Sequence, residues 1–98
     1  MVVTEFPFKE ELLEENDKYI LVKRIFSKNL SSKELVWHRD KEDREIKIIQ
    51  GENWFIQFEN SLPILLENNK SHQIKKNTWH RIINKSKSDL EILLRKYK

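Results

Sequence analysis

His38 and Asp40 stand two residues apart, in Trp37-His38-Arg39-Asp40, and a second histidine, His80, follows Asn77-Thr78-Trp79 much later in the chain. Imidazole and carboxylate are the side chains that ligate divalent cations or hydrogen-bond a polar ligand near neutral pH. A spacing of two puts His38 and Asp40 on one face of a strand. His80 lies on a separate stretch, so the three can converge only if the strands curl into a barrel. The stretch Trp37 to Gly51 continues through a charged turn into Arg44-Glu45-Ile46-Lys47-Ile48-Ile49-Gln50 and closes on the single glycine. Ile46 and Ile48 are apolar while Glu45 and Lys47 are polar, so the even positions should face inward. Arg44 then shares the inner face. A guanidinium has no lone pair to give a cation. It can pair with the carboxylate of Asp40, Asp43 or Glu45, or clamp the carboxylate or phosphate of a ligand.

The elements that must hold these residues read as strands. Lys18 to Phe26 is rich in β-branched and aromatic residues. Glu34 to Asp40 and Arg44 to Gln50 follow, with Asn29 to Ser32 as a turn cluster before them. Gly51-Glu52 turns the chain into Asn53 to Glu59, and Asn60-Ser61 makes a tight hairpin into Leu62 to Glu67. Ser71 to Ile74, His80 to Ile83 and Leu90 to Tyr97 complete the set. Glu10 to Glu15 could form a short helical turn. Trp54, Ile56 and Phe58 share one face and read as core. Trp37 and Trp79 each precede a histidine and should point away from any pocket; packing or interface roles suit them. His72 shares parity with Ile74 and reads as structural. Short strands spaced by turn residues predict an all-β sandwich or barrel, with residues 1–98 as one domain: an N-terminal arm over 1–17 and a barrel over 18–97.

Composition narrows the function classes. The chain has 98 residues and no cysteine, so disulfides and thiolate metal sites are excluded. Its 19 basic and 16 acidic side chains give a net charge of +3, and the signs are interspersed rather than gathered in the basic patch of a nucleic-acid module. No apolar run approaches the ~20 residues of a membrane helix. The start, Met-Val-Val-Thr-Glu, has no signal-peptide pattern. The expectation is a cytoplasmic protein with neither nucleic acid nor membrane as partner. One glycine rules out a glycine-rich phosphate loop. There is no cysteine nucleophile and no Gly-x-Ser-x-Gly elbow.

The two histidine stretches resemble the paired motifs of the cupin superfamily. That family's first motif runs His-x-His, three or four residues, Glu, six residues, Gly. Here it gives His38-x-Asp40, Arg44 and Gly51. The second runs Gly, five residues, Pro-x-Gly, two residues, His, three residues, Asn. Here it gives Asn69, Lys75-x-Asn77, His80 and Asn84, with every spacing kept. Both glycines have become asparagine, the next best residue at positive φ. The resemblance spans roughly Lys18 to Tyr97. It implies a small jelly roll, or double-stranded β-helix.

It also implies a site. Metal-binding members typically use His, His, Glu and His. Asp40 takes the place of the second His, and Arg44 that of the Glu. Two readings stay open. Asp40 and Arg44 can pair and replace the metal, leaving a polar, metal-free binding site lined by His38, Asp40, Arg44 and His80. Alternatively, His38, Asp40 and His80 form a two-histidine, one-carboxylate triad for iron(II), nickel or zinc. That pattern also resembles the 2-oxoglutarate-dependent oxygenases, for which Arg95 is a candidate co-substrate anchor. The expected function is binding of a small polar or anionic molecule in the barrel mouth. The alternatives are a metal-dependent enzyme of oxygenase or sugar isomerase type, and a structural or regulatory module. Open sheet edges suggest a homodimer.

Overall fold

The computed structural model describes residues 8–98. Eight strands follow in order: β1 (Phe8–Glu15), β2 (Tyr19–Phe26), β3 (Arg44–Gln50), β4 (Trp54–Phe58), β5 (Ile64–Leu65), β6 (Ser71–Ile74), β7 (His80–Asn84) and β8 (Leu90–Tyr97). They form a five-stranded sheet, β1-β2-β8-β3-β6, and a three-stranded sheet, β5-β4-β7, with every pairing antiparallel. The architecture is the expected all-β jelly roll. No helix among the described residues is long and apolar enough to cross a membrane.

Period-two alternation builds the core. Ile46 and Ile48 of β3, Trp54 and Ile56 of β4, and Leu90, Ile92 and Leu94 of β8 turn their side chains between the sheets and are all buried. Phe58 is only partly buried and packs against this cluster. The Trp54 indole leans on Phe26, with ring centroids 6.1 Å apart, and its Nε1 donates to Ser88 O at 2.8 Å.

Asparagine takes the left-handed positions. Asn53, Asn60, Asn69 and Asn77 have φ of 56°, 59°, 68° and 62°. Asn69 and Asn77 are the two that replace motif glycines. Gly51 does not have positive φ. It is there for space: a Cβ would lie 2.8 Å from Leu90 Cδ1 in the core.

Three expectations are corrected. Glu10 to Glu15 is not a helical turn but lies within β1, paired along β2 with an irregularity between Leu12 and Glu14. Glutamate and leucine favour helix, but six residues are too few to offset nucleation. The cross-strand ladder, including Arg24 against Glu10, wins. Phe6-Pro7-Phe8 reads in the sequence as an apolar hook able to cross to a partner, but Phe6 and Pro7 lie outside the described residues. Glu34 to Asp40 is not a strand. It follows a turn in which Glu34 N and Leu35 N both donate to Ser31 O, and its one ladder contact is at His38. Asn60-Ser61 does not make a two-residue hairpin, because β4 ends at Phe58 and β5 is only Ile64–Leu65.

Candidate functional site

Three pieces of chain converge at one end of β7. His38 N donates to His80 O at 3.0 Å, and His80 N returns the bond to His38 O at 2.9 Å. This bridge holds the two imidazoles together, with centroids 4.3 Å apart. Asn77 N donates to Asp40 O at 2.7 Å, so the left-handed turn at Asn77 fixes the backbone of Asp40. Further back, Asn84 Nδ2 donates to Lys28 O and Leu30 O, both at 2.9 Å, and ties the long β2–β3 connection to β7. The second motif's terminal asparagine therefore anchors the segment that carries His38.

Each ring is oriented by a carbonyl two residues earlier. His38 Nδ1 lies 3.1 Å from Val36 O, and His80 Nδ1 lies 2.8 Å from Thr78 O. A carbonyl only accepts, so both Nδ1 atoms carry a proton, and in the neutral rings both Nε2 atoms present lone pairs. His80 is 2% exposed. Its Nε2 faces Asp40 Oδ2 at 3.3 Å, yet Oδ2 is buried and makes no hydrogen bond among the described residues. Two lone pairs held that close repel unless a cation, either a proton or a metal ion, lies between them.

The other oxygen of Asp40 is engaged. Oδ1 lies 3.3 Å from Arg44 Nη2, while Arg44 Nε and Nη2 both donate to Glu42 Oε1, at 2.9 and 2.7 Å. Burial alone would raise the Asp40 pKa; with a proton on His80 Nε2, the hydrogen bond from that ring and then the Arg44 guanidinium outweigh burial and hold the carboxyl below its usual range. Arg44 is thus on the inner face, as the alternation of β3 requires, and Glu45 faces out toward Arg95 at 3.3 Å.

The ligating atoms of His38, Asp40 and His80 all lie within 4.8 Å of one another. The donor set fits a divalent ion. Two imidazole nitrogens are free and oriented, one carboxylate oxygen is unsatisfied, and Arg44 takes the oxygen that a monodentate ligand does not use. The 3.3 Å between His80 Nε2 and Asp40 Oδ2 is about the edge of a tetrahedron with ligands at ~2.0 Å, whereas separations of up to 4.8 Å in the group would have to close around an ion.

The cluster opens on a cavity of about 290 Å³ between the sheets. His38, Arg44 and His80 line it, but most of its wall is apolar: Phe26, Leu35, Ile46, Ile74, Ile82 and Leu94. The wall is more apolar than the polar binding site of the metal-free reading. Arg24 also lines the cavity, and the sequence reading passed over it. The signal was present, since Val22, Arg24 and Phe26 alternate on the inner face of β2. Arg95, the candidate co-substrate anchor, does not join the site. It sits on the outer face, paired with Glu45 and stacked 4.6 Å over Tyr19. Trp37 and Trp79 point outward and meet Arg81 and Arg39 across the bridge at 4.8 and 5.2 Å.

His72 stands outside the cluster, opposite Ile46, with its Nε2 buried and unpartnered among the described residues. Desolvation lowers its pKa, against the weaker pull of Glu67. A group with a depressed folded pKa contributes full stability above its unfolded pKa, about 6.5, and loses it as pH falls through the folded value. His72→Gln should therefore lose less stability than the wild type between about pH 7.5 and about pH 5, read from urea midpoints. Equal losses in the two proteins would mean that His72 does not titrate differently on folding.

No family model matches the sequence, and no curated protein matches it. Solved structures do. A cupin domain from Bordetella pertussis matches over 99% of both chains, with TM-score 0.73 and 13% identity. A candidate mannose-6-phosphate isomerase from Ralstonia eutropha covers 93% of this chain and 84% of its own, with TM-score 0.79 and 15% identity. An RmlC-like cupin with a double-stranded β-helix, from Methanocaldococcus jannaschii, covers 99% and 85%, with TM-score 0.74 and 15% identity. Identities this low speak to fold alone, and on that evidence this chain has the cupin fold, a double-stranded β-helix.

Proposed function

We propose that the protein binds a divalent metal ion through His38, Asp40 and His80, and a small organic molecule in the adjoining cavity. The unsatisfied Asp40 Oδ2, facing the His80 Nε2 lone pair at 3.3 Å, carries this reading. Iron(II), nickel(II) or zinc(II) held there would supply polarisation of a bound molecule's oxygen. The chain's own residues do the rest. Val36 O and Thr78 O hold the imidazole tautomers, Arg44 steers Asp40, and the apolar wall excludes water. Calorimetric titration of metal-stripped protein with nickel(II) or zinc(II) tests the reading. One ion per chain is the expected result; no heat of binding overturns it.

The metal-free reading has one observation in its favour, the Arg44–Asp40 contact at 3.3 Å. The two readings part at Arg44→Glu. The new carboxylate would sit beside Asp40 and Glu42, so the metal-free protein should be less stable than the wild type. Metal affinity should rise by roughly tenfold or more, because a cation is exchanged for a ligand. A variant with unchanged metal affinity would remove Arg44 from the site. Of the enzyme types, the oxygenase reading loses its Arg95 anchor. A sugar phosphate such as mannose 6-phosphate suits these apolar walls poorly.

The expected homodimer remains a proposal. Edge strand β1 leaves Leu12 59% and Leu13 47% exposed, which supports pairing or covering of that edge by a second copy. Sedimentation should show a dimer at micromolar concentration; a monomer alone would overturn it.

A further inference from the structure

The walls and the charges of the cavity are of different kinds, and together they specify a ligand class. Ile46, Ile74, Ile82 and Leu94 give the chamber an apolar interior. A hydroxyl-rich or phosphate-only ligand would lose its water there without replacement, whereas an apolar body gains by leaving water. The cations lie on the same lining but are not equivalent. Arg44 is offset by two acids, Glu42 and Asp40. Arg24 is offset mainly by one. Its side chain, 12% exposed, sits on the inner face of β2 between buried Val22 and Phe26.

The guanidinium of Arg24 is held in place from two sides. It lies 3.7 Å over the Phe8 ring, and its Nε and Nη2 both donate to the same oxygen, Glu10 Oε1, at 3.2 and 2.7 Å. Its Nη1 makes no hydrogen bond among the described residues. Arg24 therefore keeps donor capacity for an incoming anion while its plane is already fixed, which reduces the entropy lost on binding.

We propose that the cavity takes a small organic monocarboxylate with an apolar body, its carboxylate on Arg24 and its other end toward His38 and His80. The inference rests on the reading of the cavity as a ligand site, but it does not require a metal. About 290 Å³ holds on the order of ten non-hydrogen atoms at interior packing density. Octanoate is a probe of that size.

The test compares octanoate, octan-1-ol and acetate by calorimetry on metal-stripped wild type, Arg24→Met and Ile82→Phe. Wild type should bind octanoate about tenfold or more tightly than octan-1-ol, as a charge-assisted hydrogen bond provides, and acetate far more weakly still. Arg24→Met should lose that preference while keeping its affinity for octan-1-ol. Ile82→Phe, which fills the chamber, should weaken both octyl ligands and leave nickel(II) unchanged. Should Arg24→Met fail to fold, the wild-type comparison and Ile82→Phe still decide. Equal binding of octanoate and octan-1-ol, acetate as tight as octanoate, or no octanoate binding overturns the proposal. The nickel titration is scored separately, so failure of the ligand class is distinguishable from failure of the metal reading.

Discussion

Trp54→Ala should destabilise the fold by about 3–5 kcal/mol, the usual range for truncating a fully buried aromatic residue. Trp54 is 0% exposed, packs on Phe26 from the opposite sheet, and donates its indole N–H to Ser88 O at 2.8 Å. The variant loses the buried area, leaves a void between the sheets, and strips a partner from the turn before β8. Domains of this size have stabilities of roughly 5–15 kcal/mol, so much of the total is removed. Urea unfolding followed by circular dichroism checks this. A loss below about 1 kcal/mol would mean that the sheets do not close on Trp54 as described.

His80→Ala should lower nickel(II) or zinc(II) affinity by about a hundredfold or more, since it deletes one of three ligating groups and leaves only His38 and Asp40 to hold the ion. His72→Gln serves as the matched control, because it removes a half-buried histidine from outside the cluster and should leave metal affinity unchanged. Loss of affinity in both variants would point to a general effect on folding. Loss in neither would move the metal away from His80.

Much of this site was legible because it depends on alternation within single strands. Ile46 and Ile48 fix the parity of β3, and that parity alone turns Arg44 inward and Glu45 outward. Asn69 and Asn77 could be read as glycine replacements because few other residues tolerate positive φ, and both adopt it. Other features depend on partners that no local pattern reveals. Residues 34–40 have the composition of a strand but find one ladder partner, at His80. Glu10 to Glu15 has the composition of a helix but lies against β2. Gly51 reads as a turn residue, whereas its requirement is clearance from Leu90, a residue remote in sequence. Arg24 was missed for a different reason. A long cation on an inner face is ordinarily taken as solvated, and only the stacking on Phe8 and the pairing with Glu10 show it held at the cavity.

The exposure of Trp37 and Trp79 bears on how these variants are read. Both indoles lie on the outer face, 39% and 40% exposed, each beside an arginine from the neighbouring segment. Substitutions there should leave metal and ligand affinity unchanged, although each residue adjoins a histidine in sequence, because each indole packs against an arginine on the outer face.

The most direct measurement is anomalous diffraction from crystals of the metal-stripped protein soaked in nickel(II) or zinc(II). One peak per chain is expected, bonded to His38 Nε2, Asp40 Oδ2 and His80 Nε2, with Arg44 still on Asp40 Oδ1. A soaked crystal with no peak among these three residues, or with its peak elsewhere on the chain, would contradict it.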